Sequence, residues 1–254
     1  MPQSAIIQFD ALEQQGVFFS SDKQAITSFL TTYYPGFDLS AVLYELDKVA
    51  KMWDFEWGQK SIGLGGLGGL MIHHQYDNLD TSDEADCLLV RRILKPPTAD
   101  KKRISHEEMY LPPSMQQKGL SRHLILPYYR QYANAKIDFI DAQAGATGGG
   151  YALARYGFAA ANKKEATNVL DDERLRRIGV DDDSIELLHE DLEEFYSSNP
   201  LESPFLMWEW AQTSFAKELL MGTHWKAVLD LQNKAQKSIF ESYLYSSRRV
   251  LPSS

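Results

Sequence analysis

Apolar positions along this chain recur with two periods, and the changes of period mark out its elements. Ala5 to Phe9 reads as a short strand. After the cap Ser21-Asp22, the spacing of Ala25, Phe29 and Tyr33 predicts a helix that stops at Pro35-Gly36. A second helix, capped by Ser40, carries Val42, Leu43, Leu46, Val49, Ala50 and Trp53 at helical spacing. The pattern then turns to alternation. Leu70 to Tyr76 predicts one strand and Cys87 to Leu94 another; after a turn at Pro96 to Lys102, Arg103 to Leu111 runs back antiparallel. Next comes a helix with Leu120, Leu124, Tyr128 and Tyr132 on one side. Pro127 lies inside it, where a kink costing about 3 kcal/mol is expected unless local structure compensates. Lys136 to Ala142 is strand-like, and Gly148 to Phe158 reads as a glycine turn and a short helix.

Past Phe158 the character changes. Ala159 to Glu165 is small and polar, and Asp171-Asp172 starts a brief helix that ends at Gly179. Asp183 and Glu186 form a capping box for a helix with Ile185, Leu188, Leu192 and Phe195 inward. Its other faces carry Glu190, Asp191, Glu193 and Glu194, a solvated surface or a dock for a basic partner. Ser203-Pro204 opens a further helix rich in Phe205, Trp208, Trp210 and Phe215. Trp225 to Leu231 reads as a strand, while Ser238 to Leu244 is helix or strand by periodicity. The Asn78 to Asp86 stretch is a polar, acidic loop. The sum is a mixed α/β domain with a helical insertion between its last two sheet strands.

Composition narrows the class. At 254 residues, with 44% hydrophobic and 12% aromatic content, the chain is that of a folded protein. Its apolar runs are short of a bilayer span and no charged-then-apolar leader opens it, so no membrane is expected. The one cysteine, Cys87, excludes an internal disulfide and points to a reducing cytoplasm. A net charge of −9 disfavours general nucleic-acid binding and suits a basic partner or an amine substrate. Gly63-Leu-Gly-Gly-Leu-Gly68 matches the dinucleotide fingerprint by letter, but Leu70 to Tyr76 after it reads as a strand instead of a helix, so it is taken as a flexible loop. His73 and His74 are neighbours on a strand, point to opposite faces and cannot share a metal; none is assigned.

The chemistry concentrates between Arg103 and Phe158. Ser114 to Arg122 contains no proline and lies between a strand end and a helix start, so its backbone N–H groups can face an anion. Gly119 allows close approach, and Lys118 and Arg122 add charge. Gln116-Gln-Lys-Gly-Leu-Ser121 resembles the Gln/Arg-x-x-Gly-x-Gly/Ala loop of the GNAT acetyltransferase superfamily, with Ser121 in place of the final small residue. Gly149-Gly-Tyr-Ala-Leu-Ala-Arg-Tyr-Gly-Phe158 resembles that family's second signature, closest to phage-associated and toxin-like branches. About a quarter of the chain carries the resemblance.

The resemblance has specific implications. The fold would be a GNAT-like central mixed sheet flanked by helices in a single domain. Residues 1–60 would form an N-terminal helical part, 61–160 the acyl-CoA-binding core, 161–220 the insertion and 221–254 a C-terminal strand and terminal segment. The first two helices would cover one sheet face and help wall the acceptor site. The loop Gln116, Gln117, Lys118, Gly119, Leu120, Ser121 and Arg122 would hold acetyl-CoA. The strand before it would splay at a bulge and bond the acyl arm through Met109, Tyr110 and Leu111. Alternation places His106, Glu108 and Tyr110 on one face and Glu107, Met109 and Leu111 on the other. Glu108, partly buried, is the preferred general base and Glu107 the alternative, unless Glu107 pairs with Arg91 or Arg92. The family's acid tyrosine position holds Leu153, so Tyr151, which opens the helix, takes that role. The expected activity is direct acetyl transfer to an amine, on a small molecule or a protein, with a homodimer left open. Two alternatives stand beside it. One is a degenerate module that binds a partner through the acidic insertion, and the other a phage or toxin modifier of a host protein or RNA.

Overall fold

Residues 7–66, 68–78, 87–145 and 149–246 are described by a computed structural model of the protein. They are α/β, with mostly antiparallel strands flanked by helices, and they fall into two units. The first holds the described residues up to Asp138 together with 244–246; the second is Phe139–Tyr243.

The first unit runs α1 (Phe9–Gln14), β1 (Val17–Phe19), α2 (Lys23–Tyr33), α3 (Leu39–Met52), β2 (Phe55–Leu64), β3 (Leu70–Asn78), β4 (Leu88–Leu94), β5 (Arg103–Tyr110) and α4 (Leu120–Ala135). The strands lie in sequence order; β1 is parallel to β2, and the other neighbours are antiparallel. Two of these elements differ from the sequence reading. Ala5 and Ile6 lie outside the described residues, and Phe9 opens a helix instead of closing a strand. Gly16, at φ +81°, then turns the chain so that Val17–Phe19 pairs with Lys60–Ile62. The whole of β2 was hidden in the sequence by Gly58, Lys60 and Gly63, which break the apolar alternation. At Gly63 a Cβ would sit 1.9 Å from Ser20 Oγ, so a larger residue would have to displace that hydroxyl. Lys60 points inward, its Nζ 2.9 Å from the Gln15 carbonyl and 3.4 Å from Asp47.

Caps set the helix starts. Asp22 accepts from the Ala25 N–H, as the pattern implies, while Ser21 instead accepts from Leu64 N. For α3 the cap is Asp38, not Ser40; its carboxylate accepts from Ala41 N at 2.9 Å. The expected apolar stripe of α3 is buried: Val42, Leu43, Leu46 and Ala50 have no exposed surface. They share the core with Ile62, Ile72, Val90 and Ile104 of the sheet, and with Leu120, Leu124, Tyr128 and Tyr132 of α4. Helix α4 runs through Pro127 without interruption. The fingerprint-like glycines make the β2–β3 turn, closed by Gly65 N to Gly69 O at 2.9 Å. Residues 79–86 of the expected acidic loop lie outside the described residues.

The second unit runs β6 (Phe139–Gln143), α5 (Gly149–Arg155), β7 (Ala159–Ala160), α6 (Lys163–Thr167), α7 (Asp172–Arg177), α8 (Asp182–Ser198), β8 (Phe205–Leu206), α9 (Ala216–Leu220), β9 (Lys226–Asp230) and α10 (Lys234–Leu244). Its strands are ordered β6-β9-β7-β8, all antiparallel. The helix expected from Ser203 is instead β8, a 3-10 turn at Trp210–Gln212 and α9. Phe205 pairs with Ala160, so the insertion returns a strand to the sheet. The cap of α8 is Asp181, and Tyr196, not Phe195, is its last buried aromatic. The ambiguous Ser238 to Leu244 is helical.

Candidate functional site

Strand β5 is not regular. Arg91 pairs with Glu108 and Arg92 with His106, so Glu107 has no counterpart in β4. One extra residue on one strand of an antiparallel pair is a β-bulge, and it reverses the alternation beyond it. His106 therefore faces α4, where its Nε2 lies 2.8 Å from the Tyr132 hydroxyl. Glu108 faces the other way, with Oε2 3.3 Å from Arg91 Nη1. Met109 is back on the helix side, its sulfur 3.9 Å from Arg92 Nη2. The expected sharing of one face by His106, Glu108 and Tyr110 is thus corrected: the bulge separates the histidine from Glu108.

On the face away from α4 a polar row crosses three strands. Arg91 Nε donates to His73 Nδ1 at 3.4 Å, and its Nη1 meets Glu108. The Glu108 side chain is 47% exposed, against the partly buried base that was expected, and it is Glu108, not Glu107, that takes the arginine. Glu107 is exposed. His73 is nearly buried, and burial together with Arg91 lowers its pKa, so it is neutral at pH 7. His74 faces inward with no exposed surface and is pushed down to about 3 by burial and by Lys60.

The helix side holds an interior cluster that the sequence reading missed. Arg92 has no exposed surface. Its Nη1 donates to the carbonyls of Arg91 (2.9 Å) and Glu108 (2.8 Å), and its guanidinium lies 5.5 Å from the Tyr128 ring centre. Tyr132 lies close enough to feel its charge. The Tyr132 hydroxyl has one proton to give, and His106 Nε2 is 2.8 Å away. Burial and the Arg92 charge hold the His106 pKa well below its ordinary value, which suits a neutral ring accepting at that nitrogen. One signal was available. Adjacent residues of a strand point to opposite faces, so in a sheet with one face covered one of Arg91 and Arg92 must point inward.

After β5 the chain makes a 3-10 turn at Pro113–Met115, which uses the Met115 and Gln116 amides on the carbonyls of Pro112 and Pro113. Gln116 Nε2 donates back to the Leu111 carbonyl at 3.1 Å. Gln117 at φ +62° and Gly119 at φ +82° then bend the loop into the start of α4, whose first-turn amides have no helical acceptors. Gln116, Gln117 and Lys118 are exposed, while Leu120 and Ser121 are buried. Arg122 is turned away from solvent: it is 8% exposed, and its Nη1 donates to the Ser246 carbonyl (2.8 Å) and hydroxyl (3.1 Å). Comparison with protein-family models, curated proteins and solved structures finds no match. The site therefore stands on its own geometry.

Tyr151 belongs to the second unit, on α5. Its hydroxyl accepts from Arg155 Nη1 at 3.4 Å, and the same guanidinium lies 5.8 Å from the Trp208 ring. Gly150 is required there, since a Cβ would come within 2.4 Å of the Leu220 carbonyl. A groove of about 360 Å³ between α3 and α4 is lined by Tyr44, Lys48, His123, Leu126, Pro127 and Arg130 among others. It lies on the helix side of the sheet, opposite the face that carries Glu108.

Proposed function

We propose that this chain is an acyl-CoA-dependent N-acetyltransferase that moves an acetyl group from acetyl-CoA directly to an amine. The observation that carries the reading is a sequence of three features. A strand bulges at Glu107; the loop after it has left-handed turns at Gln117 and Gly119; and that loop opens the 16-residue helix α4. A bulged strand leaves backbone groups without ladder partners, which an extended acyl arm can use. The amides and dipole of the α4 start, with Lys118, suit a pyrophosphate.

In this reading Met109, Tyr110 and Leu111 hold the arm, and Gln116 to Ser121 hold the phosphates. Arg122 supports the loop from behind through Ser246. Glu108 takes a proton from the acceptor ammonium, directly or through water, to free the attacking amine, and Arg91 fixes its carboxylate. Glu107, the bulged residue, is the alternative base, and the proton that the adduct nitrogen loses goes to the leaving thiolate. Transfer then consists of amine attack on the thioester carbon, collapse to the amide and departure of the protonated thiol.

A second reading has its own observation. Helix α8 exposes Asp182, Asp183, Glu186, Glu190, Asp191, Glu193 and Glu194, the surface of a module that binds a basic partner without chemistry. Titration calorimetry with acetyl-CoA separates the two. Binding in the micromolar range, lost in Gly119→Val, supports the enzyme; no heat at millimolar ligand sinks it.

A further inference from the structure

We propose that Arg92 is a positioning residue that latches the β5 bulge and so sets the wall against which the acyl arm would lie. The inference rests on the acetyl-CoA reading for its purpose, but the latch itself is a separate claim about the chain. Arg92 is a fully buried cation, and among the described residues no carboxylate is in ion-pair range of it. Burying a charge in this way is costly unless hydrogen bonds compensate. Here Nη1 spans the two strands, bonding the carbonyl of its own predecessor Arg91 and that of Glu108 across the pair. These two residues are register partners at the point where the ladder skips.

A bulge disrupts the ladder, so carbonyls beside it need donors from elsewhere. A lysine presents a point charge; the guanidinium fork can hold two carbonyls and still reach Met109. With the latch in place, His106 stays with Tyr132 on the helix side while Glu108 is turned to the Arg91 side. Without it, a regular strand would carry both on one face. The same guanidinium therefore fixes two things at once: the backbone offered by Met109 to Leu111, and the side on which the base stands.

The test uses the full chain and its Arg92→Met and Arg92→Lys variants, read by site-resolved amide hydrogen exchange and by acetyl-CoA calorimetry. In Arg92→Met the amides of Glu108 to Tyr110 should exchange at least about tenfold faster, while Ile104 and Ser105 hold their protection. Arg92→Lys, which keeps the charge and at most part of the fork, should show the same local loss to a smaller degree and stands in if Arg92→Met does not fold. Deleting Glu107 removes the bulge directly. In that background Arg92→Met should cause no further drop in acetyl-CoA affinity, because both changes act through one feature. Unchanged exchange at Glu108 to Tyr110 in either variant overturns the latch, and so does uniform loss across β4 and β5. If wild type binds no acetyl-CoA, the proposed activity fails, and the exchange arm still decides the latch.

Discussion

Arg91 and Glu108 face each other across the β4–β5 pair at 3.3 Å, on the side of the sheet that α4 does not cover. Both side chains are roughly half exposed, so their attraction is screened and adds little to stability. Glu108→Gln should therefore change unfolding free energy by less than about 1 kcal/mol. Turnover should fall by about a hundredfold or more, with acetyl-CoA affinity kept, and recover partly as pH rises and more amine is neutral. Stopped assays of thioester loss, with and without an amine acceptor, check this. If Glu107→Gln gives that phenotype instead, the bulged residue is the base.

Gly119 sits at φ +82°, and a Cβ there would come within 3.3 Å of Arg122 Nε. Gly119→Val should cost about 1–2 kcal/mol in backbone strain and abolish measurable acetyl-CoA binding. Gly119→Ala should show a similar strain with a smaller loss of affinity. Denaturant melts alongside calorimetry separate the two effects.

Lys60 and Asp47 form an ion pair with side-chain exposures of 2% and 13%. Burial raises Asp47 to about 6 and lowers Lys60 to about 8, and each charge holds the other in place. Lys60→Met leaves a carboxylate buried among apolar neighbours and should destabilise by about 3–5 kcal/mol. Lys60→Met with Asp47→Leu should recover most of that loss. A double-mutant cycle in urea measures it, and additive losses would show that the two do not act as a pair.

The inward histidines make stability depend on pH. His74 and His106 have lowered pKa values in the folded chain, so below the ordinary value near 6.5 the unfolded chain binds protons that the folded chain does not. Their stabilisation is complete above that value and is lost as pH falls below it, at up to about 1.4 kcal/mol per pH unit for each. Asp47 opposes this between its ordinary value and about 6, because the folded state holds its proton there more tightly. The net expectation is falling stability from pH 7 towards pH 4. His74→Leu should reduce the slope by about one proton, as read from denaturation at a series of pH values.

Much of this could be read from the chain, and the exceptions share a cause. The helices α2 to α4 and strands β3 to β5 are legible in the apolar spacing, because their inward positions are filled by apolar side chains. Strand β2 escaped because two glycines and an inward lysine, whose partner Asp47 lies on another element, interrupt its apolar alternation. The bulge escaped because it is a property of two strands in register, and nothing local to Ser105-His-Glu-Glu-Met109 requires it. Strict alternation counted from Met109 therefore put Glu108 on the far face correctly and wrongly put His106 there with it. The segment from Ser203 looked helical since its aromatics serve one core from several short elements, with Phe205 on a strand and Trp210 on a 3-10 turn.

The Arg122–Ser246 contact joins residues 124 positions apart. Its consequence is that the loop before α4 is sensitive to where a polypeptide is cut. A chain ending at Leu244 would take that anchor from the Arg122 guanidinium beside Gly119, loosening a positive charge next to a loop that otherwise presents only Lys118. Such a trimmed protein would attract polyanions more strongly than the untrimmed one.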